Sequence, residues 1–259
     1  VSVLLRNPRF LVSMFQEFEQ VKYDFTTILN REGTGAIAVS KIPFDNAEIK
    51  EGFSKIPMWV ADMNYATAPS VIEAIQNRLA HPVFGYFDIK DAYSESIIEW
   101  QKTRNGVTDI PKEAIDYENG VLGGVSSVLQ AFTAPGEAIL LHSPAYIGFI
   151  GTITNMGRKI VYSPLKKDEQ GVWRMDYEDM DKKLKENHIH LAIFCTPHNP
   201  CGRVWEREEI EKAMEVYEKN KCLVISDEIW SDLTLEGHKH IPTQSVNEYA
   251  HEHTFAFYA

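Results

Sequence analysis

From Ala68 onward the chain alternates short apolar runs with longer segments of helical spacing. A first helix is predicted to begin near Pro69, because proline is favoured in the first turn of a helix. Its apolar residues recur on one face, at Val71, Ile72, Ile75 and Leu79. A second helix is predicted from about Asp91 to Arg104, with Gly106 placed to end it. Its inward face is predicted at Tyr93, Ile97 and Trp100.

Four apolar runs have the length of strands and are bounded by turn-forming residues. They lie at Ala138–Leu141, Leu191–Cys195, Leu223–Ser226 and Thr254–Tyr258. A further helix is predicted to open at Gly123-Gly124 and to run through Ser126 to Phe132. Strands that alternate with helices are typical of βαβ units. The sequence therefore predicts an α/β fold with a mostly parallel central sheet.

Polar or aromatic clusters follow three of the predicted strands. They are Ser143 to Tyr146, Thr196 to Gly202, and the pair Asp227-Glu228. In open α/β sheets, ligands bind at the carboxyl ends of the strands, where the strand order changes direction. We therefore expect a binding site that draws side chains from all three clusters.

The composition of the chain excludes several classes of partner and site. The 259 residues are 44% hydrophobic, which is enough for a core, and a net charge of −11 argues against nucleic acid as a partner. No apolar window approaches the roughly 20 residues of a membrane span. Three cysteines without a CxxC pattern indicate a reducing cytoplasm. Nine histidines without HExxH spacing predict no metal site.

The pair Asp227-Glu228 has two ordinary interpretations when it is taken alone. It could coordinate magnesium in a nucleotide enzyme, or it could cap a following helix. The sequence contains neither a GxxxxGK[ST] motif nor a GxGxxG motif. The nucleotide interpretation therefore lacks a phosphate-binding loop.

Taken together, the clusters suit a planar, phosphorylated pyridine. Amides at a helix N-terminus, here those of Gly124 and Val125, can hold a phosphate through the helix dipole. Tyr146 can stack on the ring, and Asn199 can donate a hydrogen bond to a phenolate oxygen. Asp227 can keep a pyridine nitrogen protonated, which makes the ring an electron sink.

Three segments carry a resemblance to fold-type-I enzymes that use pyridoxal 5'-phosphate (PLP). They are Ala145-Tyr146, Thr196-Pro197-His198-Asn199-Pro200-Cys201-Gly202-Arg203-Val204-Trp205 and Ser226-Asp227-Glu228-Ile229-Trp230. Within that superfamily, Trp59-Val60-Ala61-Asp62-Met63 and the His-Asn-Pro form of the second segment resemble bacterial cystathionine β-lyase-like C–S lyases. The similarity extends from Lys22 to Ala259.

The resemblance implies a domain organisation. Residues 70–259 would form the PLP-binding large domain, incomplete at its C-terminus, and residues 22–69 would belong with the small domain. Residues 1–21 are an N-terminal extension of unknown role.

It also implies further site residues and a partner. Tyr86 would reach the PLP phosphate of the neighbouring subunit, so a homodimer is expected. The backbone amide of Ala61 would meet the substrate carboxylate. Trp230 would contact the cofactor at a position that is often Tyr or His, although an indole donates hydrogen bonds and does not accept them.

The activity implied is β-elimination from cystathionine or related cysteine S-conjugates, giving pyruvate, ammonia and a thiol. An aminotransferase on the same scaffold is the alternative, and a non-catalytic PLP-binding or regulatory protein is a second one. The Schiff-base lysine is expected beyond Ala259, because Lys239 lies only twelve positions after Asp227. We therefore expect the sequence to be a piece that stops before this lysine.

Overall fold

The computed structural model describes residues 23–40, 50–53, 56 and 58–259, so the predicted extension 1–21 lies outside the described residues. The chain divides into two compact units, residues 1–87 and residues 88–259. The N-terminal unit contains helices α1 (Ile37–Ser40) and α2 (Pro69–Leu79). Helix α2 begins at Pro69 as predicted, but its four apolar residues are 44–58% exposed. The division of the chain into domains at residue 70 stays a prediction.

The C-terminal unit opens with α3 (Asp91–Trp100), which continues as a π-helical turn over Gln101–Asn105. Gly106 ends it with a φ of 73°, so the predicted helix and its stop are confirmed. The predicted inward face is wrong, because Tyr93 and Trp100 are exposed while Gln101 is buried. The guanidinium of Arg104 lies over the Trp100 ring, 4.6 Å from its centroid. This cation–π contact stabilises the ring at the surface.

The strands of this unit build one parallel sheet and one small hairpin. Their bounds are β1 (Ala138–Ser143), β2 (Lys159–Pro164), β3 (Lys166–Lys167), β4 (Trp173–Arg174), β5 (Leu191–Cys195), β6 (Leu223–Asp227) and β7 (Thr254–Phe257). The order in the large sheet is β2-β1-β5-β6-β7, and every neighbouring pair is parallel. Strands β3 and β4 pair with each other in antiparallel fashion. The predicted α/β fold with a mostly parallel sheet is confirmed.

Helices cover both faces of this sheet. They are α4 (Val121–Phe132), α5 (Ile147–Asn155), α6 (Tyr177–Glu186), α7 (Arg207–Lys219) and α8 (Glu248–His253), with 3-10 turns at Lys112–Ala114 and Thr243–Ser245. Alternate strand residues point to opposite faces. Leu140 accordingly packs with residues of α6 and α7, while Ile139 and Leu141 pack with residues of α4 and α5. The result is a three-layer unit with a separate core on each face.

The strand order changes direction at β1. Strand β2 lies on one side of it, and β5, β6 and β7 follow on the other. The three predicted clusters lie at the last residues of β1, β5 and β6 or directly after them, so they share the carboxyl edge of the sheet. In the part of the chain that the structure describes, no helix is long and apolar enough to cross a membrane.

Candidate functional site

Tyr146 lies where the segment after β1 enters α5. It is the residue that precedes the helix, and its ring packs edge-on against Phe149 at a centroid distance of 5.4 Å. A Cβ atom on Gly148 would lie 2.4 Å from the Tyr146 ring and 2.8 Å from the side chain of Leu122. Gly148 therefore allows the Tyr146 ring to lie close to the first turn of α4, which contains Leu122.

The start of α4 differs from the prediction. The helix begins at Val121, after Gly120 with a φ of 75°, so Gly123 and Gly124 lie within its first turn and do not form a turn before it. The Gly124 amide donates to the Gly120 carbonyl at 3.1 Å. The Gly120 amide donates to the Glu118 carbonyl at 2.9 Å, so the free donors at this helix start, among the described residues, are the amides of Val121, Leu122 and Gly123.

The amides predicted to hold a phosphate are therefore not the free ones. Gly124 is already bonded, and Val125 follows it inside the helix with its side chain completely buried. The assignment of a phosphate to the start of α4 stays a prediction. Gly120 ends the preceding segment with a positive φ, but the sequence alone does not distinguish it from Gly123 and Gly124.

Gly124 has a packing role instead. A Cβ atom at this position would lie 2.1 Å from the ring of Phe257 in β7. Phe257 pairs with Asp227 across β6 and β7. Because Gly124 has no side chain, the start of α4 packs against Phe257 at the end of β7, which pairs with Asp227 at the end of β6.

Asn199 lies half-buried in the loop after β5. The loop closes on itself, because the His198 amide donates to the Arg203 carbonyl and the Gly202 amide donates to the His198 carbonyl, each at 2.7 Å. The Nε2 atom of His198 lies 2.9 Å from the Pro144 carbonyl oxygen. This hydrogen bond joins the loop of Asn199 to the segment that contains Tyr146.

Asp227 is the last residue of β6 and is 5% exposed. Its Oδ1 accepts the Ile229 amide at 3.1 Å, and its backbone carbonyl accepts the Thr196 amide at 2.9 Å. Burial raises the pKa of the Asp227 carboxyl to about 6, and the neighbouring charge of Glu228 adds to the rise. A cation placed against this carboxylate would lower the pKa and remove part of the desolvation cost.

A cavity of about 480 Å³ lies between the β5 loop and the segment after β6. Asn199 lines it from the first and Trp230 from the second, together with the apolar side chains of Leu233 and Leu235. Tyr146 and Asp227 do not line this cavity, but the ends of β1, β5 and β6 place them with Asn199 at the same edge of the sheet, as the sequence predicts.

Glu228 is a residue whose role the sequence did not indicate. Its side chain is completely buried. Oε1 accepts the Ser226 hydroxyl at 2.8 Å and the Thr243 amide at 2.9 Å, and Oε2 lies 2.6 Å from both His240 Nε2 and the Tyr258 hydroxyl. Protein donors occupy both oxygens, so neither magnesium coordination nor helix capping describes this residue. Its partners are up to 30 positions away, beyond the reach of any local motif.

Tyr86 and Ala61 lie in the N-terminal unit. Tyr86 is fully exposed, as are large parts of Phe84 and Phe87. Ala61 is exposed next to Asp62, whose two carboxylate oxygens accept the two terminal nitrogens of Arg31 at 2.9 and 2.6 Å. The roles assigned to Tyr86 and Ala61 stay predictions.

Comparison with known proteins identifies several similar chains. The profile of the family described as aminotransferase class I and II matches residues 54–257. Cystathionine beta-lyase PatB of Bacillus subtilis is 38% identical over 193 residues, which cover 74% of this chain and 49% of PatB. Protein MalY of Escherichia coli is 31% identical, over 86% of this chain and 56% of MalY.

Among solved structures, cystalysin from Treponema denticola, which contains a PLP cofactor, superposes with a TM-score of 0.83. It is 32% identical, and the match covers 92% of this chain and 59% of cystalysin. The predicted fold-type-I class is thereby confirmed. The chain spans about half the length of the curated relatives it matches.

Proposed function

Because the chain belongs to the aminotransferase class I and II family, we propose that the protein is a PLP-dependent carbon–sulfur β-lyase. Its substrates are cystathionine or related cysteine S-conjugates, and its products are pyruvate, ammonia and a thiol. The similarity to a cystathionine beta-lyase and to cystalysin supports this choice within the family.

Asp227 is the observation that carries the proposal. A carboxylate that is 5% exposed, with a pKa raised to about 6, is suited to pair with a cation that enters the site. A protonated pyridine nitrogen is such a cation. When bound, PLP supplies an electron sink for the α-carbon of an amino acid. Asp227 would pair with that nitrogen and keep it protonated.

The remaining groups fit the other parts of the cofactor. The free amides of Leu122 and Gly123, at the positive end of α4, would hold the phosphate. Tyr146, 37% exposed beside Leu122, offers a ring face for stacking. Asn199 would donate to the phenolate oxygen, and Trp230 would form part of the cavity wall. The proton-transfer base is assigned to the Schiff-base lysine that the resemblance predicts, and to none of the described residues.

The proposed assembly is a homodimer in the cytoplasm, with Tyr86 of each subunit completing the phosphate site of its partner. The exposed ring of Tyr86 is consistent with a role at a subunit interface. The substrate is a small amino acid whose carboxylate meets the amide of Ala61.

An aminotransferase is the alternative, favoured by the name of the matching family. A lyase expels the β-substituent, whereas an aminotransferase passes the amino group to a 2-oxo acid. The two are separated by incubating the full-length protein with PLP and cystathionine, with and without a 2-oxo acid. The proposal expects pyruvate and a thiol in both incubations. Amino-group transfer that depends on the 2-oxo acid, without thiol release, would favour the aminotransferase.

A further inference from the structure

We propose that Glu228 and the four donors on its carboxylate form a clamp that positions Asp227 and fixes the loop 229–242 at the wall of the cavity beside Asn199. The part that concerns Asp227 rests on the proposed function, and the part that concerns the loop stands on the structure alone. We call Glu228 with its donors Ser226, His240, Thr243 and Tyr258 the Glu228 clamp.

The Glu228 carboxylate is buried and saturated with hydrogen-bond donors. The side chain of Glu228 is 0% exposed and that of His240 is 2% exposed. Each carboxylate oxygen has two partners, Ser226 and Thr243 on Oε1 and His240 and Tyr258 on Oε2. A carboxylate so occupied has no free lone pair directed to a ligand. Its contribution is therefore to hold neighbouring segments, and we class it as a positioning residue.

The peptide between Asp227 and Glu228 is hydrogen-bonded at both its carbonyl and its amide. Its carbonyl accepts the Thr196 amide from the loop after β5, and its amide donates to the Phe257 carbonyl of β7, each at 2.9 Å. The clamp then fixes the Glu228 side chain that follows. The backbone on the C-terminal side of Asp227 is thus held from three directions, which limits the movement of its carboxylate.

Residues 229–242 form the loop that follows Glu228 and leads to its partners His240 and Thr243. Glu228 lies at one end of residues 229–242, and His240 and Thr243 bind the same carboxylate at the other end. Between them, Trp230, Leu233 and Leu235 line the cavity beside Asn199. One carboxylate therefore closes the base of the loop that forms this wall.

His240 contacts Glu228 through only one of its two ring nitrogens, Nε2. Its Nδ1 is buried and has no hydrogen-bond partner among the described residues. Because a carboxylate only accepts hydrogen bonds, the proton between the two side chains is on Nε2, which donates to Oε2. Glutamine at position 240 offers an amide donor in place of this nitrogen, whereas leucine offers none. The two substitutions separate loss of the hydrogen bond from loss of the imidazole.

The test uses the full-length protein with the variants His240→Leu, His240→Gln and Tyr258→Phe. His251→Leu serves as control, because His251 is an exposed histidine of α8 outside the clamp. Hydrogen exchange of the amides in 229–242 is measured without PLP, and the PLP dissociation constant is measured by titration. We expect His240→Leu to accelerate exchange in this loop and to weaken PLP binding roughly tenfold or more, as for loss of a charge-assisted hydrogen bond. Tyr258→Phe should act in the same direction, while His240→Gln and His251→Leu stay near wild type.

Unchanged exchange in 229–242 for both His240→Leu and Tyr258→Phe would overturn the clamp. Faster exchange with unchanged PLP affinity would overturn its action on Asp227. Tyr258→Phe removes one oxygen atom and keeps the ring, so it decides the matter if His240→Leu fails to fold. A wild-type protein that binds no PLP would contradict the proposed function, while the exchange result would still decide whether the clamp fixes the loop.

Discussion

Burial of Asp227 removes water from its carboxylate, and this lowers the free energy of unfolding when the carboxylate is charged. Its folded pKa of about 6 lies above the ordinary value of 3.8. A raised carboxyl pKa contributes stability at low pH that is lost as the pH rises through about 6. A shift of this size corresponds to about 3 kcal/mol. We therefore predict that Asp227→Asn raises the free energy of unfolding without PLP by up to about 3 kcal/mol at pH 8, and hardly changes it below pH 4.

Urea unfolding at the two pH values measures this difference. The exposed Asp232→Asn provides the matched control and should show no pH-dependent gain. Equal stability of wild type and Asp227→Asn at pH 8 would mean that Asp227 is not held in a desolvated state.

His142 contributes in the opposite direction. It is completely buried on β1, and burial lowers its pKa to about 4. Because the unfolded chain takes up the proton first, stability is present above pH 6.5 and is lost as the pH falls to about 4. We predict that this residue removes up to about 3 kcal/mol from the free energy of unfolding over that range. His142→Leu should flatten the acid limb of the stability curve, whereas the exposed His81→Leu should leave its slope unchanged.

Single residues were predictable where their type and their position at a strand end were sufficient. Tyr146, Asn199 and Asp227 each follow an apolar run, and the parallel sheet brings them to one edge. Glu228 was not predictable, because its four partners come from β6, the loop after it, the 3-10 turn at Thr243 and the residue after β7. Tertiary contacts of this kind leave no periodic signal in the sequence.

At the scale of elements, α4 packs on β7 through Gly124 and not through the adjacent Gly123. A Cβ at Gly124 would overlap the Phe257 ring at 2.1 Å, whereas the nearest atom to a Cβ at Gly123 is 3.7 Å away. We predict that Gly124→Ala lowers the free energy of unfolding by about 1–3 kcal/mol, as overpacked sites do. Gly123→Ala is the matched control and should be at least as stable as wild type, because alanine is preferred over glycine in a helix and meets no overlap here. Thermal or urea unfolding of both variants, made side by side, checks the difference, and equal stabilities would contradict this account of Gly124.

The elements were predicted better than their ends. The bounds of β5 match the prediction, and β1 and β6 extend beyond it by two residues and one residue. The start of α4 was predicted two to three residues late, because three glycines precede or enter its first turn. Only Gly120 has the positive φ that ends the preceding segment, and sequence alone does not distinguish it from the other two. For this reason the amides predicted to hold a phosphate, those of Gly124 and Val125, lie after the free amides of this helix start.

At the scale of the whole molecule, the proposed dimer makes a prediction of its own. If Tyr86 serves the partner's site, Tyr86→Ala and Asp227→Ala subunits damage different halves of each site. Mixed dimers of the two then contain one intact site, so mixing two nearly inactive proteins should restore up to about a quarter of wild-type activity at statistical exchange. Activity that stays at the level of the separate variants would show that Tyr86 acts within its own subunit or not at all.

The central claim is that the edge formed by β1, β5 and β6 is a PLP site whose Asp227 supports β-elimination. The most direct measurement is the rate of pyruvate release from cystathionine by the full-length protein with PLP, for wild type and for Asp227→Ala. We expect pyruvate from the wild type and a rate lower by a factor of at least about 100 in the variant, because the partner of the protonated ring nitrogen is lost while the fold is kept. Near-normal turnover in a folded Asp227→Ala variant, or no pyruvate from the PLP-loaded wild type, would contradict this account.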